Sequence, residues 1–399
     1  MASLSLCGAA TSQTTGSSAS NIQVQLGDVI AGQSLDVQTS ANGAALATTA
    51  VGNTATAVGQ GGAVDFESSQ QMSGQTTGQT NPSVNADAGP SFVAATSAVG
   101  NSATAGTSSA AATGNSTQTN NGAGTRATTY ANLGGYTDTM SVSSSAIGNT
   151  QGWNVSNGSL TATSTQANTG PTYAETDSQT NSTGTATYAA TAVGNDVEAS
   201  TTNSPVTLTV SQSQTGASTG AGTYVTQNSA GDFAVAATAT GNNANVTADS
   251  YGTSVGVTQD NEGAVNATAN GTVGQWSGTA AVTAYGVGNS VLVANAGSYT
   301  GVSNDQTNNG AINISSSFSS STGGGAGGDA VVSSSGVGNA ATAYACGSCN
   351  GTLAIKNKQV NSGSVRSTTT TNTYGVNSVT GTSTAVGNTA TFDVVGSSD

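Results

Sequence analysis

The sequence predicts an all-β fold, a β-solenoid (β-helix) built from eight repeats of about 48 residues. Two short motifs carry this prediction, because each occurs eight times and the two alternate along the chain. A motif pair at a fixed period indicates one supersecondary unit stacked on copies of itself. No helical periodicity accompanies the motifs, and only four prolines interrupt the predicted strands.

The first motif is Gln-x-[Asn/Gln/Met]-x-Gly, and it lies in segments where apolar and polar residues alternate. Val64, Phe66 and Gln70 share one face of such a segment, while Asp65 and Glu67 share the other. A period of two indicates a half-buried strand, with the glutamine on its inward face. The motif begins at Gln23, Gln70, Gln118, Gln166, Gln212, Gln259, Gln306 and Gln359.

An inward amide is costly unless all of its donors and acceptors are paired. Identical amides stacked on one another satisfy this condition, because each side chain bonds to the copies about 4.8 Å above and below it. We therefore expect internal Gln/Asn ladders along the solenoid.

The second motif is a β-branched residue followed by Gly-Asn. Its glycines are Gly52, Gly100, Gly148, Gly194, Gly241, Gly288, Gly338 and Gly387. Two residues before each glycine stands only Ala or Gly, which indicates tight packing against an opposite sheet. Glycine tolerates positive φ and asparagine bonds to nearby backbone, so the motif predicts a turn.

The spacing of the motifs predicts two coils of about 24 residues in each repeat. Roughly sixteen coils would form a rod of about 75 Å. We expect an N-terminal segment at 1–20, one solenoid domain at 21–395 and a tail at 396–399. The alternative is an eight-bladed β-propeller, but inward glutamines have no natural place between blades.

The composition of the chain disfavours several classes of partner and activity. The chain has no histidine, four basic and 18 acidic residues, and a net charge of −14. This disfavours nucleic acid and anionic membrane surfaces as partners, since both require clustered cations. No transmembrane segment, metal site or cofactor is predicted. Enzymatic activity is not expected either, because no repeated carboxylate pair stands at a fixed spacing and no histidine can act as a base.

The three cysteines are Cys7, Cys346 and Cys349. The last two form a C-x-x-C pair, but a zinc site needs more Cys or His ligands than this chain offers. A disulfide or a free thiol pair between Cys346 and Cys349 is the expectation, and a disulfide would fit an extracytoplasmic protein.

The amide-laddered repeats resemble curlin-type surface fibre proteins. More closely, the opening segment from Gln23 to Gly32, followed by Ala/Thr-rich Gly-Asn repeats, resembles the holdfast anchor protein D family of stalked alphaproteobacteria. The resemblance implies a secreted, outer-membrane-associated surface protein that attaches an adhesive polysaccharide to the cell, and it carries over no catalytic residues.

From these observations we expect an extracellular structural or adhesive protein. Its partners would be a surface polysaccharide or an envelope protein, and further copies of itself joined end to end. The alternative is a monomeric solenoid that binds a glycan or ice.

Overall fold

The computed structural model describes residues 17–216, 218–249, 252–320, 327–346 and 351–394. Every regular element in these ranges is a β-strand, and the first begins at Ser17, ahead of the domain boundary expected at residue 21. In chain order the strands are β1 (Ser17–Gln25), β2 (Val29–Val37), β3 (Ala44–Gln60), β4 (Val64–Met72), β5 (Gln75–Val84), β6 (Gly89–Ser108), β7 (Ala111–Asn120), β8 (Gly124–Ser156), β9 (Ser159–Asn168), β10 (Thr172–Thr202), β11 (Val206–Gln214), β12 (Thr219–Ala248), β13 (Thr253–Asn261), β14 (Val265–Trp276), β15 (Thr279–Asn295), β16 (Tyr299–Asn308), β17 (Ile312–Ser320), β18 (Gly327–Ala345), β19 (Thr352–Asn361), β20 (Val365–Asn372) and β21 (Val376–Val394).

The strands form two parallel sheets. The glutamine sheet has eight strands in the order β1-β4-β7-β9-β11-β13-β16-β19, and each carries one glutamine motif. The second sheet has 13 strands, and its main path runs β2-β5-β8-β10-β12-β14-β17-β20. Because every pairing among the described strands is parallel, as in Gln23 opposite Gln70, the architecture is consistent with a β-solenoid. Antiparallel propeller blades do not fit it.

The strand register corrects the expected number of coils in each repeat. Gln70 pairs with Gln118, and Gln118 pairs with Gln166, so neighbouring strands are a whole repeat apart. Each repeat therefore forms one layer of the stack instead of two coils. At about 4.8 Å per strand spacing, the eight strands of the glutamine sheet span about 34 Å, roughly half of the expected length.

Two apolar clusters fill the interior. One contains Ala94 and Ala98, which precede the Gly-Asn motif of β6, together with Val84 of β5. The other contains Ala103 and Ala105, which follow that motif, together with apolar residues of the glutamine sheet. The chain thus passes from one cluster to the other at each Gly-Asn pair, and the two motifs lie at the junction.

The Gly-Asn motif is a bend inside a continuous strand, and the expected turn is wrong. None of its eight glycines has φ in the left-handed region. In β6 the even-numbered residues are buried from Phe92 to Gly100, and the odd-numbered residues are buried from Asn101 to Thr107. Two consecutive inward residues let the strand redirect its inward face without leaving the sheet.

Small residues before this bend accommodate the opposite wall. The side chain of Ile314 reaches Gly286 so closely that a Cβ there would overlap it, and Gly336 lies against the same isoleucine. At the corresponding position in other layers Ala98, Ala146 and Ala192 are fully buried. The restriction to Ala or Gly thus reflects close contact between the walls.

Candidate functional site

The inward glutamines of the first motif form a continuous hydrogen-bonded column. Gln166 Nε2 donates to Gln118 Oε1 at 2.8 Å, and Gln212 Nε2 donates to Gln166 Oε1 at 2.9 Å. The same bond links every neighbouring pair in the column, with distances between 2.7 and 2.9 Å. The second amide hydrogen of Gln166 goes to the backbone carbonyl of Asp196, at 2.7 Å.

The asparagines of the Gly-Asn motif form a second column beside the first. Asn195 Nδ2 donates to Asn242 Oδ1 at 2.8 Å and to the carbonyl of Ser213 at 2.9 Å. Ser213 directly follows Gln212, and the glutamine side chain in turn donates to the carbonyl of Asn243. Each motif therefore bonds to the backbone next to the other motif, and the two walls of the solenoid are joined through this zone.

The third residue of the glutamine motif packs against the glycine of the other motif. A Cβ at Gly241 would lie 2.7 Å from Asn261 Oδ1 and 2.5 Å from the carbonyl oxygen of Gly288 in the next layer. Met72 contacts Gly52 in the same way. The spacing of 18 residues between the motifs recurs because the motifs touch, and the glycine makes room for the side chain two positions after the glutamine.

Sequence reasoning missed a group of buried hydroxyls in the first apolar cluster. Thr96 Oγ1 lies 2.7 Å from both Thr80 Oγ1 and Thr129 Oγ1, and Ser144 and Thr176 continue the chain of hydroxyls into the next layers. Serine and threonine are so common in this chain that composition hid these positions. They could have been identified only from their positions, because each stands two residues from an inward apolar residue on the same face of its strand.

The acidic residues also have structural roles that the sequence did not indicate. Asp87 Oδ1 accepts a hydrogen bond from the backbone N–H of Tyr136, and Asp232 Oδ1 accepts one from Thr279, so each carboxylate joins the corners of two layers. Asp196 is partly buried between Thr150 and Asn243. Burial raises the pKa of the Asp196 carboxyl, while the hydrogen bond from Asn243 opposes that shift.

A shallow groove crosses the outer face of the glutamine sheet. It has a volume of about 520 Å³ and runs over four successive strands, β11, β13, β16 and β19. Outward side chains that line it are short or hydroxyl-bearing, except for one lysine: Thr207, Thr209, Ser254, Gly256, Gly301, Ser303, Ala354 and Lys356. We name it the axial groove, because it follows the stack axis over about 14 Å.

A second groove of about 420 Å³ lies on the wall that follows the Gly-Asn bends. It is lined by Gln60, Thr104, Thr107, Asn154 and Ser200, among others. Hydroxyl and amide groups again dominate, so both grooves can donate and accept hydrogen bonds along several layers.

The remaining expectations concern cysteines, metals and membranes. Cys346 is half-buried, and its backbone N–H bonds to the carbonyl of Asn295, whereas Cys349 lies outside the described residues. Within the described ranges, no three acidic or cysteine side chains come together as metal ligands. The same ranges contain no helix long and apolar enough to cross a membrane.

Comparison with known proteins gives one informative result. Neither the curated proteins nor the solved structures contain a match to this chain. A family profile, described as holdfast attachment protein D, matches residues 38–311, which include most strands of both sheets. The chain therefore belongs to the holdfast attachment protein D family and is a holdfast-associated surface protein.

Proposed function

We propose that this chain is a non-enzymatic protein of the outer cell surface that attaches the holdfast polysaccharide to the envelope. The observation that carries the proposal is the family match over residues 38–311. The fold supports it, since a stack of parallel strands presents side chains of successive layers at regular intervals of about 4.8 Å.

The axial groove offers a surface suited to a polymeric glycan. Thr209, Ser254 and Ser303 lie in successive layers and can donate to, and accept from, the hydroxyls of a sugar chain. Gly256 leaves open space in the floor, whereas the ring of Tyr299 lies over Gly301. A polysaccharide lying along the groove would meet similar groups at each layer.

The distribution of polar groups supports a binding role rather than a catalytic one. The buried amides of the glutamine and Gly-Asn motifs are engaged in the two columns, and Asp87 and Asp232 bond to backbone at corners. These groups stabilise the stack and are not gathered around a cavity.

The proposal is tested by retention of the purified chain on isolated holdfast polysaccharide, and by adhesion of cells that carry variants as their only copy. Gly256→Gln should reduce retention severalfold by filling the axial groove. No atom lies within 4 Å of a Cβ built at Gly256, so the new side chain is accommodated without disturbing the fold.

Gly32→Gln is the matched control, because residue 32 lies on the outward face of β2 and a Cβ there meets only the Gln79 carbonyl at 4.0 Å. This variant should bind like the wild type. A wild-type chain that is not retained on holdfast polysaccharide, with cells that attach equally well without it, would contradict the proposed function.

A second proposed property is end-to-end association, and the direction of the ladders favours it. The glutamine column donates toward the preceding layer, as Gln70 does to Gln23, whereas the asparagine column donates toward the following one, as Asn53 does to Asn101. A second copy stacked in the same direction would continue both columns. Electron microscopy should then show filaments one coil wide, whereas dispersed particles at high concentration would favour the monomeric glycan or ice binder.

A further inference from the structure

The outer face of the second sheet carries a compact group of aromatic and charged side chains near the middle of the stack. It spans three neighbouring strands, β8, β10 and β12. We call it the tyrosine cluster, and it consists of Arg126, Tyr130, Tyr173, Glu175, Asp177 and Tyr224. In register, Tyr173 lies beside Arg126, and Asp177 lies between Tyr130 and Tyr224.

Charged groups fix the positions of the cluster. Arg126 donates from Nη2 to Glu175 Oε2 at 2.9 Å and from Nε to Thr128 Oγ1 at 3.0 Å. The guanidinium also lies 5.4 Å from the centre of the Tyr173 ring, a favourable cation–π distance. The ion pair and the ring therefore hold one another in place on an otherwise small-residue surface.

Two glycines make room for the tyrosines. A Cβ at Gly220 would come within 2.9 Å of Tyr173 Cδ2, and one at Gly222 would come within 2.7 Å of Tyr224 Cε2. The equivalent positions of the next strand hold Asn266 and Thr268. This stretch of β12 therefore leaves a notch that the aromatic side chains occupy.

The hydroxyls of Tyr173 and Tyr224 meet above Gly222, where each would lie 3.1 Å from an added Cβ. Burial, with Glu175 nearby, raises the pKa of Tyr173 to about 12. The Tyr173 hydroxyl thus stays protonated and remains a donor at neutral pH. Burial also raises the pKa of the Asp177 carboxyl, which lies on the same surface.

Aromatic rings beside hydrogen-bonding carboxylates are the groups that recognise sugars. A ring packs against the apolar C–H face of a hexose, while carboxylate oxygens accept from its hydroxyls. The chain has 10 tyrosines in all, and aromatic residues make up only 4% of it, so three tyrosines on three adjacent strands form a concentrated aromatic surface. Tyr130 is 38% exposed and offers its ring to solvent.

The negative charge of the tyrosine cluster disfavours anionic sugars relative to uncharged or amine-bearing ones. Its single cation, Arg126, is paired with Glu175, which leaves Asp177 as an additional carboxylate. The chain as a whole carries −14. An anionic polysaccharide would be repelled, whereas uncharged or amine-bearing sugars would not.

We propose that the tyrosine cluster is a glycan-binding subsite for uncharged or amine-bearing hexose units. This inference rests on the proposed polysaccharide attachment and assigns part of it to named residues. The site is separate from the axial groove, since the two lie on different sheets.

The test is calorimetric titration of the full chain with three soluble probes: a chitin oligosaccharide, its deacetylated form and an alginate oligosaccharide. The first two should bind and the anionic alginate should not. Tyr130→Ser should weaken binding about tenfold, as expected for loss of an aromatic anchor. Asp177→Asn keeps the side-chain volume and should weaken the deacetylated probe more than the acetylated one.

Tyr285→Ser is the matched control, because Tyr285 is 40% exposed and belongs to β15, outside the cluster. Circular dichroism and thermal melts establish that the variants are folded. The assignment would be overturned if Tyr130→Ser bound the probes as tightly as the wild type, or if Tyr285→Ser lost as much affinity as Tyr130→Ser. It would also be overturned if neither the chitin oligosaccharide nor its deacetylated form bound, or if alginate bound as tightly as these.

Failure here is distinguishable from failure of the proposed function. If the wild type is retained on holdfast polysaccharide but Tyr130→Ser is retained equally and the soluble probes do not bind, only the cluster assignment fails. If the probes bind at the cluster but holdfast polysaccharide does not retain the chain, the attachment proposal fails and the subsite stands.

Discussion

In the glutamine column one side chain is repeated through all the strands of its sheet, whereas a neighbouring column of the second apolar cluster changes from layer to layer. That column holds Ala57, Ala105, Trp153, Ala199 and Val246 in succession. Both columns are inward, the glutamine column on the glutamine sheet and the apolar column on strands of the second sheet. They differ in the property that a side chain must match in the adjacent layers, which is volume in the apolar column and hydrogen bonding in the amide column.

In the apolar column, a large side chain on one wall can be accommodated by small side chains on the opposite wall. Trp153 packs edge-on against Phe66, with ring centres 6.1 Å apart. The layers that follow Phe66 in its sheet carry Gly114 and Ala162 at the same position, which leaves space for the indole. Apolar packing thus requires only that the summed volume fills the interior.

In the amide columns no other kind of side chain can replace an amide, because each one donates a hydrogen bond to the copy in one adjacent layer and accepts one from the copy in the other. The bond from Gln166 to Gln118 has a fixed length and direction, and a different side chain would remove the column hydrogen bonds to the layers on both sides. The apolar clusters supply stabilising burial, and the amide zone fixes the register. The predictions below test this division of roles.

The largest effect is expected from Trp153→Ala, at about 3–5 kcal/mol of unfolding free energy. The substitution leaves a cavity beside Phe66 and removes the hydrogen bond from Trp153 Nε1 to Ser164 Oγ, which measures 2.9 Å. Urea denaturation measures the loss. Val246→Ala in the same column should cost less, and equal costs for the two would contradict volume as the controlling quantity.

Gly241→Ala should cost about 1–3 kcal/mol, because the methyl group overlaps backbone of the next layer and Asn261. Gly387→Ala is the control within the same motif, since its Cβ would meet only Asn361 Nδ2, at 3.4 Å. That variant should remain within about 0.5 kcal/mol of wild type. Similar losses at both positions would show that glycine is required for chain conformation instead of close stacking.

Gln166→Leu should also cost about 1–3 kcal/mol despite the gain in apolar surface, since it leaves Gln118 Oε1 without a donor and removes one of the two hydrogen bonds that Gln212 Nε2 donates. Gln359→Leu breaks one bond of the column, to Gln306, and the bond to the carbonyl of Thr389, and it lies in a more exposed layer, so its effect should be smaller. Thermal melts of the two variants give the comparison. A Gln166→Leu protein as stable as wild type would exclude a structural role for the column.

The smallest effect is expected from Asp196→Asn, and it should depend on pH. Burial raises the folded-state pKa of Asp196 above the ordinary value of an aspartate, so the ionised carboxyl destabilises the fold. This penalty is fully present above the folded-state pKa and disappears below the unfolded-state pKa. The variant should therefore be more stable than wild type at pH 7 and equal to it near pH 3. A constant difference across that range would show that the charge of Asp196 has no effect.

Much of the interior could be predicted from the sequence, because its signals are local. The period of two around Gln70 places the amide inward, and recurrence of the motifs indicates stacking of identical groups. The Ala or Gly before each bend indicates a close contact, which Ile314 makes with Gly286. The all-β class and the inward ladders follow from these patterns alone.

The tertiary structure decided how the repeats stack. A layer of about 24 residues and one of about 48 fit the same local pattern, since both are strand–bend–strand units. Two coils in each repeat would separate successive glutamines by two strand spacings, about 9.6 Å, which is too far for one amide to reach the next. The 2.8 Å bond between Gln118 and Gln166 requires one layer for each repeat.

The sequence by itself determined which residues face inward and that like groups recur, because alternation and period are properties of neighbouring positions. Only the tertiary structure decided what those groups touch: the backbone carbonyls that Gln166 and Asn195 reach on the opposite wall, the strand bend at Gly100, and the meeting of Arg126, Tyr173 and Tyr224 on one outer face. These contacts join residues that lie many positions apart, and they depend on how far the chain rises in each layer. That distance is set by strand pairing, and no single stretch of sequence encodes it.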